Sequence, residues 1–177
     1  MGKHSKLGKV HQQFIEHQHI FFVATAAESG TINLSPKGMN SLRVLDEKTI
    51  VWLNLTGSGN ETAAHVKRLN RMTIMFCSFD EKPLILRLYG SAETYHDADE
   101  QFKTYSKLFP NYSGQRQIFK MSIELVQSSC GFGVPLMDYV SERTDLVKWS
   151  DKKGPVGIKA YQAEKNKVSL DGFDTGL

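Results

Sequence analysis

Short runs rich in Phe, Val and Ile recur along the chain, and apolar and polar residues alternate strictly in residues 118–127, so both patterns predict β-strands rather than helices. The predicted strands cover residues 19–27, 31–35, 42–45, 49–55, 72–79, 84–95 and 118–127. Elsewhere, apolar residues recur at the spacing of three to four that is typical of helices. The predicted helices cover residues 8–18, 61–69 and 97–109. The pattern therefore indicates a mainly β protein with a few helices.

Tight turns join most of the predicted strands, for example Glu28-Ser29-Gly30 and Asp46-Glu47-Lys48. Strands joined by such short connections must pair antiparallel. A closed or nearly closed barrel leaves a sheet of this kind few unpaired edges. Six or seven strands with two or three helices therefore predict an antiparallel barrel.

The chain has the length of one domain, and no linker or repeat divides its 177 residues. We expect a single domain over residues 1–177, with residues 136–177 as a C-terminal extension. The part that follows Lys152 is rich in Gly and Lys and is expected to wrap the surface. Within the barrel, Pro36-Lys37-Gly38 is expected to end the strand that begins at Thr31.

Composition narrows the possible partners and the compartment. The 22 basic residues nearly balance 19 acidic ones, and no Lys/Arg-rich run exists, which argues against nucleic-acid binding. No apolar run approaches the roughly 20 residues of a membrane span. Cys77 and Cys130 offer neither a disulfide framework nor metal-ligand spacing, and His17 and His19 lack further ligands nearby. We expect a cytoplasmic protein without a metal site.

Gly57-Ser58-Gly59-Asn60-Glu61-Thr62 is the stretch with the clearest chemical meaning. Two glycines before a helix let the backbone approach a ligand, and the hydroxyls of Ser58 and Thr62 add to the amides of the first helical turn. The stretch predicts a phosphate-binding loop, although an ordinary glycine loop with a helix cap explains it equally well. Ser58 and Glu61 match a capping box.

Positive charge for such an anion site must come from elsewhere in the chain. Lys37, beside Pro36 and Gly38 at a predicted strand end, is the natural donor, and the alternative is a solvated turn lysine. Arg87 lies within an apolar strand, where it either faces outward or pairs with an acidic group or ligand.

Four motifs together resemble the pyridoxamine 5′-phosphate oxidase-related family of FMN-binding split barrels. They are residues 33–38 (NLSPKG), 51–62 (VWLNLTGSGNET), 71–76 (RMTIMF) and 86–90 (LRLYG). The similarity runs from about residue 10 to residue 130. It implies a six-stranded antiparallel split β-barrel and a homodimer with FMN sites at the subunit interface.

The resemblance also assigns site residues by position. Ser35 and Lys37 would lie along the flavin and its phosphate, and Trp52 and Asn54 would flank the isoalloxazine ring. The residues implied to hold the ribityl phosphate are Ser58, Asn60 and Thr62. The candidates for completing the site from the partner chain are Ser129, Cys130 and Arg143.

The family's substrate-binding residues do not carry over. Asn60 and Glu61 stand where pyridoxamine phosphate oxidases have basic residues, and residues 137–143 lack the C-terminal arginine and histidine pair that holds the substrate phosphate. The expected function is therefore that of an FMN-binding oxidoreductase acting on an unidentified small molecule. The alternative is a haem-binding split barrel that uses His65 or a histidine of residues 17–19 as axial ligand.

Overall fold

The computed structural model describes residues 2–177, which form eight strands and four α-helices. The strands are β1 (Gly2–His4), β2 (Phe21–Ala26), β3 (Ile32–Lys37), β4 (Leu42–Val44), β5 (Thr49–Leu55), β6 (Arg71–Cys77), β7 (Ile85–His96) and β8 (Gln115–Ser129). The helices are α1 (Lys9–Glu16), α2 (Glu61–Arg68), α3 (Glu100–Tyr105) and α4 (Asp145–Lys165). A 3₁₀ turn, Ser106–Leu108, continues α3.

All strands belong to one antiparallel sheet in the order β3-β2-β6-β7-β8-β5-β4. The long strand β8 pairs with β7 along one edge and with β5 and then β1 along the other. No pairing joins the end strands β3 and β4 in the described part of the chain. The mainly β, antiparallel prediction is confirmed, but the sheet has eight strands rather than six.

The additional strand β1 explains part of that difference. Lys3 and His4 are exposed polar residues, and the strand forms because its backbone pairs with Gln127 and Val126 of β8. Such a strand leaves no alternating apolar pattern, so the sequence could not reveal it.

Apolar side chains cover both faces of β5, which places this strand between two cores. Ile50 and Trp52 pack in the main core inside the curled sheet. Val51 and Leu53 face the other way, in a smaller core that includes Phe102 of α3. Asn54 follows Trp52 on the inner face, so the strand changes from apolar to polar where it leaves the main core.

Pro36-Lys37-Gly38 does end a strand as predicted, but β3 stops at Lys37, two residues beyond the predicted end at Ser35. Proline lacks the N–H that a central strand needs, but it is tolerated on a strand with one unpaired edge. β3 is such an edge strand, and Pro36 lies opposite Phe22 in its pairing with β2. The structure thereby keeps Lys37 in regular strand geometry.

The segment after Lys152 was predicted to wrap the surface, but residues 153–165 belong to α4, and only residues 166–177 run as a loop over the barrel. Gly154 interrupts this helix with a φ of 65°, and Pro155 starts its second part, where the fixed φ of proline suits a first helical turn. The helix packs on the barrel through Ile158 and through Gln162, which donates to Thr56 Oγ1 at 2.8 Å. None of the described helices has the length and apolar character needed to cross a membrane.

Candidate functional site

A polar cavity of about 290 Å³ opens where β3, the end of β5 and the loop before α2 meet. Its lining residues are Asn33, Ser35, Lys37, Asn54, Leu55, Gly57, Ser58, Gly59, Asn60, Glu61, Thr62 and Arg116. Six of the ten predicted site residues are among them, namely Ser35, Lys37, Asn54, Ser58, Asn60 and Thr62. The structure thus brings together residues that are up to 27 positions apart in the predicted set and adds Arg116 to them.

The strand β3 supplies one polar wall of this cavity. Asn33, Ser35 and Lys37 alternate with exposed residues and lie opposite the buried residues of β2, so they face inward. Ser35 Oγ donates to Asn33 Oδ1 at 3.0 Å, and Asn33 Nδ2 donates to Thr62 Oγ1 of α2 at 3.2 Å. These hydrogen bonds tie the wall to the start of α2.

Two cations line the cavity, and burial perturbs both. Burial lowers the pKa of Lys37 to about 8, and the neighbouring charge of Arg116 contributes to the shift. Burial likewise lowers the pKa of Arg116 to about 10. Arg116 is only 5% exposed, and its Nη1 has no hydrogen-bond partner in residues 2–177. A buried guanidinium is costly without a counter-charge, so the cavity is suited to an anion.

Backbone amides add to this positive potential. The N–H groups of residues 57–62 donate to no protein acceptor within the described residues, since the first hydrogen bonds of α2 run from Ala63 and Ala64 to the carbonyl of Asn60. Successive free amides at a helix N-terminus bind anions through their dipoles. Together with Lys37 and Arg116, they give the cavity the kinds of donor that a phosphate group accepts from.

The predicted capping box is absent, which leaves these amides free. Asn60, rather than Ser58, is the N-cap residue of α2, and it makes no capping hydrogen bond with its side chain. Its Nδ2 donates instead to the carbonyl of Asn166 at 3.1 Å, and the Glu61 carboxylate accepts from the Leu170 amide at 3.0 Å. Leu170 thus bonds the Glu61 carboxylate that the capping box would have used.

Comparison with known proteins agrees with this architecture. Residues 7–130 match the family model described as pyridoxamine 5′-phosphate oxidase. The chain belongs to this family. A curated relative from Aspergillus flavus, the pyridoxamine 5′-phosphate oxidase family protein ustO, is 36% identical over 174 residues that cover 88% of this chain and 70% of that protein.

Two solved structures with lower sequence identity to this chain establish the fold. A putative pyridoxamine 5′-phosphate oxidase from Lactobacillus delbrueckii superposes with a TM-score of 0.58 at 24% identity, covering 72% of this chain and 99% of that one. HupZ from Group A Streptococcus superposes with a TM-score of 0.54 at 21% identity, covering 67% and 91%. The predicted split barrel is therefore confirmed as the fold of this family member.

Trp52 lies in the core and is not among the residues that line the cavity. Its ring stacks on Phe119 with centroids 4.6 Å apart, and the Lys37 ammonium lies 5.2 Å from the Trp52 centroid. Asn54 does reach the cavity and donates from Nδ2 to Gln117 Oε1 at 3.0 Å. The predicted contact of both side chains with a flavin ring stays a prediction.

The three residues predicted to act from a partner chain do not line the cavity of their own chain. Ser129 Oγ accepts from Arg87 Nη1 at 3.2 Å on the outer face of the sheet, which also gives Arg87 its partner. Cys130 is an exposed free thiol, and Arg143 is exposed in the segment before α4. Their predicted role in a partner's site stays a prediction.

The sequence did not predict Arg116 as a site residue, because a β-bulge turns its side chain toward the cavity. Strict alternation along β8 puts Arg116 on the face of Ile118, away from the main core. In the structure Asn54 pairs with Gln117 but Leu55 pairs with Gln115, so Arg116 is the extra residue of the bulge. Bulges redirect side chains near functional sites. A charged residue just before an alternating strand was the available signal.

Proposed function

We propose that this family member binds FMN and serves as an oxidoreductase for a small molecule. The observation that carries the proposal is the cavity that combines Lys37 and Arg116 with the free amides of residues 57–62. FMN ends in a phosphate monoester with up to two negative charges and three acceptor oxygens near pH 7. Such a group would neutralise the buried guanidinium and accept hydrogen bonds from the amides.

The residues present fit this cofactor at the phosphate end. Arg116 Nη1 is a buried donor without a protein acceptor, and a phosphate oxygen would satisfy it. The amides and hydroxyls of Ser58 and Thr62 would hold the remaining oxygens, with Lys37 as a second charge. FMN when bound supplies hydride transfer between the substrate and an acceptor.

The chain itself orients the cofactor and restricts water. The inner face of β3 and the end of β5 form one continuous polar surface that leads away from the phosphate loop. Trp52 and Phe119 close the barrel beneath that surface as a fully buried pair. A ligand held at the phosphate end would therefore lie across the cavity rather than enter the core.

The test is a visible absorption spectrum of the purified protein, before and after FMN is added and the sample is desalted. Retention of a flavin spectrum supports the proposal, and a colourless protein that releases all added FMN contradicts it. A sharp haem band would instead support the haem alternative. That alternative is not favoured, because His65 is fully buried and its Nδ1 is bonded to Thr25 Oγ1 at 3.1 Å. His17 Nδ1 lies 2.6 Å from the Gln13 carbonyl, and the His19 ring stacks on Tyr139 with centroids 3.6 Å apart.

We expect the affinity for FMN to fall as the pH rises through about 8. Lys37 is protonated at pH 7 and loses its charge near its lowered pKa of about 8, whereas the phosphate stays doubly charged above pH 7. Because the bound phosphate would keep Lys37 protonated while the free protein loses this charge, the dissociation constant should rise about tenfold between pH 7 and 9. Fluorescence titration across this range measures the change.

Lys37→Arg provides the control for this pH dependence. A guanidinium keeps its charge throughout the range, so the profile of the variant is expected to be flat. A wild-type affinity that is constant from pH 7 to 9 would exclude Lys37 from the phosphate site.

We also propose that the protein is a homodimer that pairs through the outer face of the sheet. On β3 the polar residues face inward and the apolar ones outward, with Ile32 79% and Leu34 63% exposed. Phe22 and Met75 extend this apolar surface over β2 and β6. A contiguous apolar face of this kind marks an interaction surface. A twofold contact between copies would cover it.

We place the residues that would complete a partner's cavity on this same outer face. Ser129 lies on it, beside Arg87 at the end of β8, and Cys130 and the exposed segment before α4 follow directly. These residues leave the barrel on the side where we place the partner.

We also propose a cytoplasmic location, which fits the two unpaired cysteines. The near-balanced charge fits a protein that does not bind nucleic acid.

Leu34→Lys is expected to convert the dimer into monomers. The lysine would be solvated in a single chain but would place a charge against its symmetry mate or an apolar surface in the dimer. The mass measured by light scattering coupled to gel filtration should fall from twice the chain mass of 20.0 kDa to that mass. Val156→Lys, at an exposed apolar position on α4, should leave the mass unchanged. A wild-type monomer would contradict the proposed dimer.

A further inference from the structure

Residues 166–176, which we call the C-terminal loop, pack against the loop of residues 57–60. This segment follows α4 and lies outside the region that matches the family model. Its first residue, Asn166, is fully buried. Asn166 Nδ2 lies 3.0 Å from the carbonyl oxygen of Gly57 and 3.4 Å from that of Ser58. The Asn166 carbonyl in turn accepts from Asn60 Nδ2.

These contacts fix the direction of two successive peptide units. In a trans peptide the C=O group and the following N–H group point in opposite directions, and the chain has no cis peptide in residues 2–177. Because Asn166 holds the carbonyls of Gly57 and Ser58, the N–H groups of Ser58 and Gly59 must point away from Asn166. Both residues line the cavity, and neither N–H has a protein acceptor in the structure described.

The rest of the C-terminal loop anchors Asn166 in place. Thr175 Oγ1 donates to the Asn166 carbonyl at 2.6 Å. The Asp171 carboxylate accepts from both the amide and the hydroxyl of Thr31 at 2.8 Å, in the turn between β2 and β3. Lys67 pairs with Asp174, and the Arg68 guanidinium lies 4.2 Å from the centroid of Phe173. The loop is thus bonded to α2 and to the β2–β3 turn.

We propose that Asn166 is the positioning residue of the anion site: it holds the Gly57 and Ser58 carbonyls so that the Ser58 and Gly59 amides face the ligand phosphate. This inference rests on the proposed function for the identity of the ligand. It assigns to the C-terminal extension a role in phosphate recognition, although none of its residues lines the cavity. The buried, unpartnered Arg116 Nη1 independently marks the same cavity as the place of the anion.

The test compares two ligands that differ only in the phosphate, FMN and riboflavin, on the 177-residue chain. Asn166→Leu removes the amide donor without adding charge. We expect the affinity for FMN to fall about tenfold to hundredfold, which corresponds to losing one or two charge-assisted hydrogen bonds. The affinity for riboflavin should change by less than about twofold, because no phosphate contact is involved. An equal loss for both flavins, or no loss for FMN, would overturn the inference.

Gln162→Leu is the matched control. Gln162, in α4, also has a buried side-chain amide, but this amide donates to Thr56 Oγ1 rather than to residues 57–60. Its loss should lower stability similarly and leave the ratio of FMN to riboflavin affinity unchanged. If Asn166→Leu does not fold, Asn166→Ser, which keeps a small polar side chain, takes its place with the same expected loss of FMN selectivity.

A binding experiment with inorganic phosphate distinguishes failure of this inference from failure of the proposed FMN binding. In wild-type protein, phosphate should shift the NMR signals of the Ser58 and Gly59 amides, and the Asn166 variant should lose these shifts. A protein that binds no flavin but gives this result supports the role of Asn166 and contradicts FMN. Shifts that persist in the variant, or that are absent from wild type, contradict the role of Asn166.

Discussion

Replacing Arg116 with methionine is expected to weaken FMN binding by about 2–5 kcal/mol, the usual effect of truncating one partner of a buried charge pair. The same change should leave the free energy of unfolding of the flavin-free protein unchanged or raise it. Arg116 is buried and its Nη1 has no partner, so the flavin-free protein bears the cost of desolvating the guanidinium. Methionine fills a similar volume without that cost.

Two measurements separate these opposite effects. Fluorescence titration gives the affinity for FMN, and urea unfolding without flavin gives the stability. Arg43→Met is the control, because the Arg43 guanidinium packs over Phe109, 4.9 Å from the ring centroid, and does not line the cavity. That variant should keep its affinity for FMN. Strong destabilisation by Arg116→Met with unchanged affinity would show that Arg116 is a structural residue instead.

Gly90→Ala is expected to destabilise the protein by about 3 kcal/mol or more, as severe overpacking does. Gly90 lies at the bulge where the register between β7 and β8 shifts. A Cβ atom at this position would lie 1.9 Å from the backbone oxygen of Ser122. Backbone cannot move aside as a side chain can, so the two central strands would have to separate locally. Thermal and urea unfolding measure the loss.

Gly133→Ala is the matched control for this prediction. Gly133 has no atom within 4 Å of an ideal Cβ position and no positive φ, so the substitution should change stability by no more than about 0.5 kcal/mol. Equal stabilities of the two variants would mean that β7 and β8 can part at the bulge without loss. The flavin affinity of a folded Gly90→Ala protein should be unchanged, since Gly90 does not line the polar cavity.

The sequence predicted the parts of the site that depend on neighbouring residues. Two glycines before a helix and a lysine beside Pro and Gly at a strand end are local patterns, and both line the cavity. Lys37 was predicted at a strand end and is the last residue of β3, which extends two residues further than predicted. The edge position of β3, which permits Pro36, depends on the order of strands in the whole sheet and has no local signature.

Other parts of the site depend on contacts that the sequence does not mark. Arg116 faces the cavity because of a bulge opposite Leu55, and a period-two pattern assigns it to the wrong face. Asn166 meets Gly57 across a separation of 109 residues. The expected capping box is absent for the same reason, because the Leu170 amide donates to the Glu61 carboxylate. Local propensity gave way in each case to tertiary contacts.

The long separation between Gly57 and Asn166 has a consequence for synthesis of the protein. Ribosomes add about 5–20 residues per second. The loop of residues 57–60 therefore waits roughly 5–20 seconds for the residue that orients its carbonyls, given the 109 positions between them. Until then, water must satisfy those carbonyls. A nascent chain can pair most of its strands in that interval, but it cannot present the ordered amides, so the proposed binding of FMN would have to follow the synthesis of residue 166.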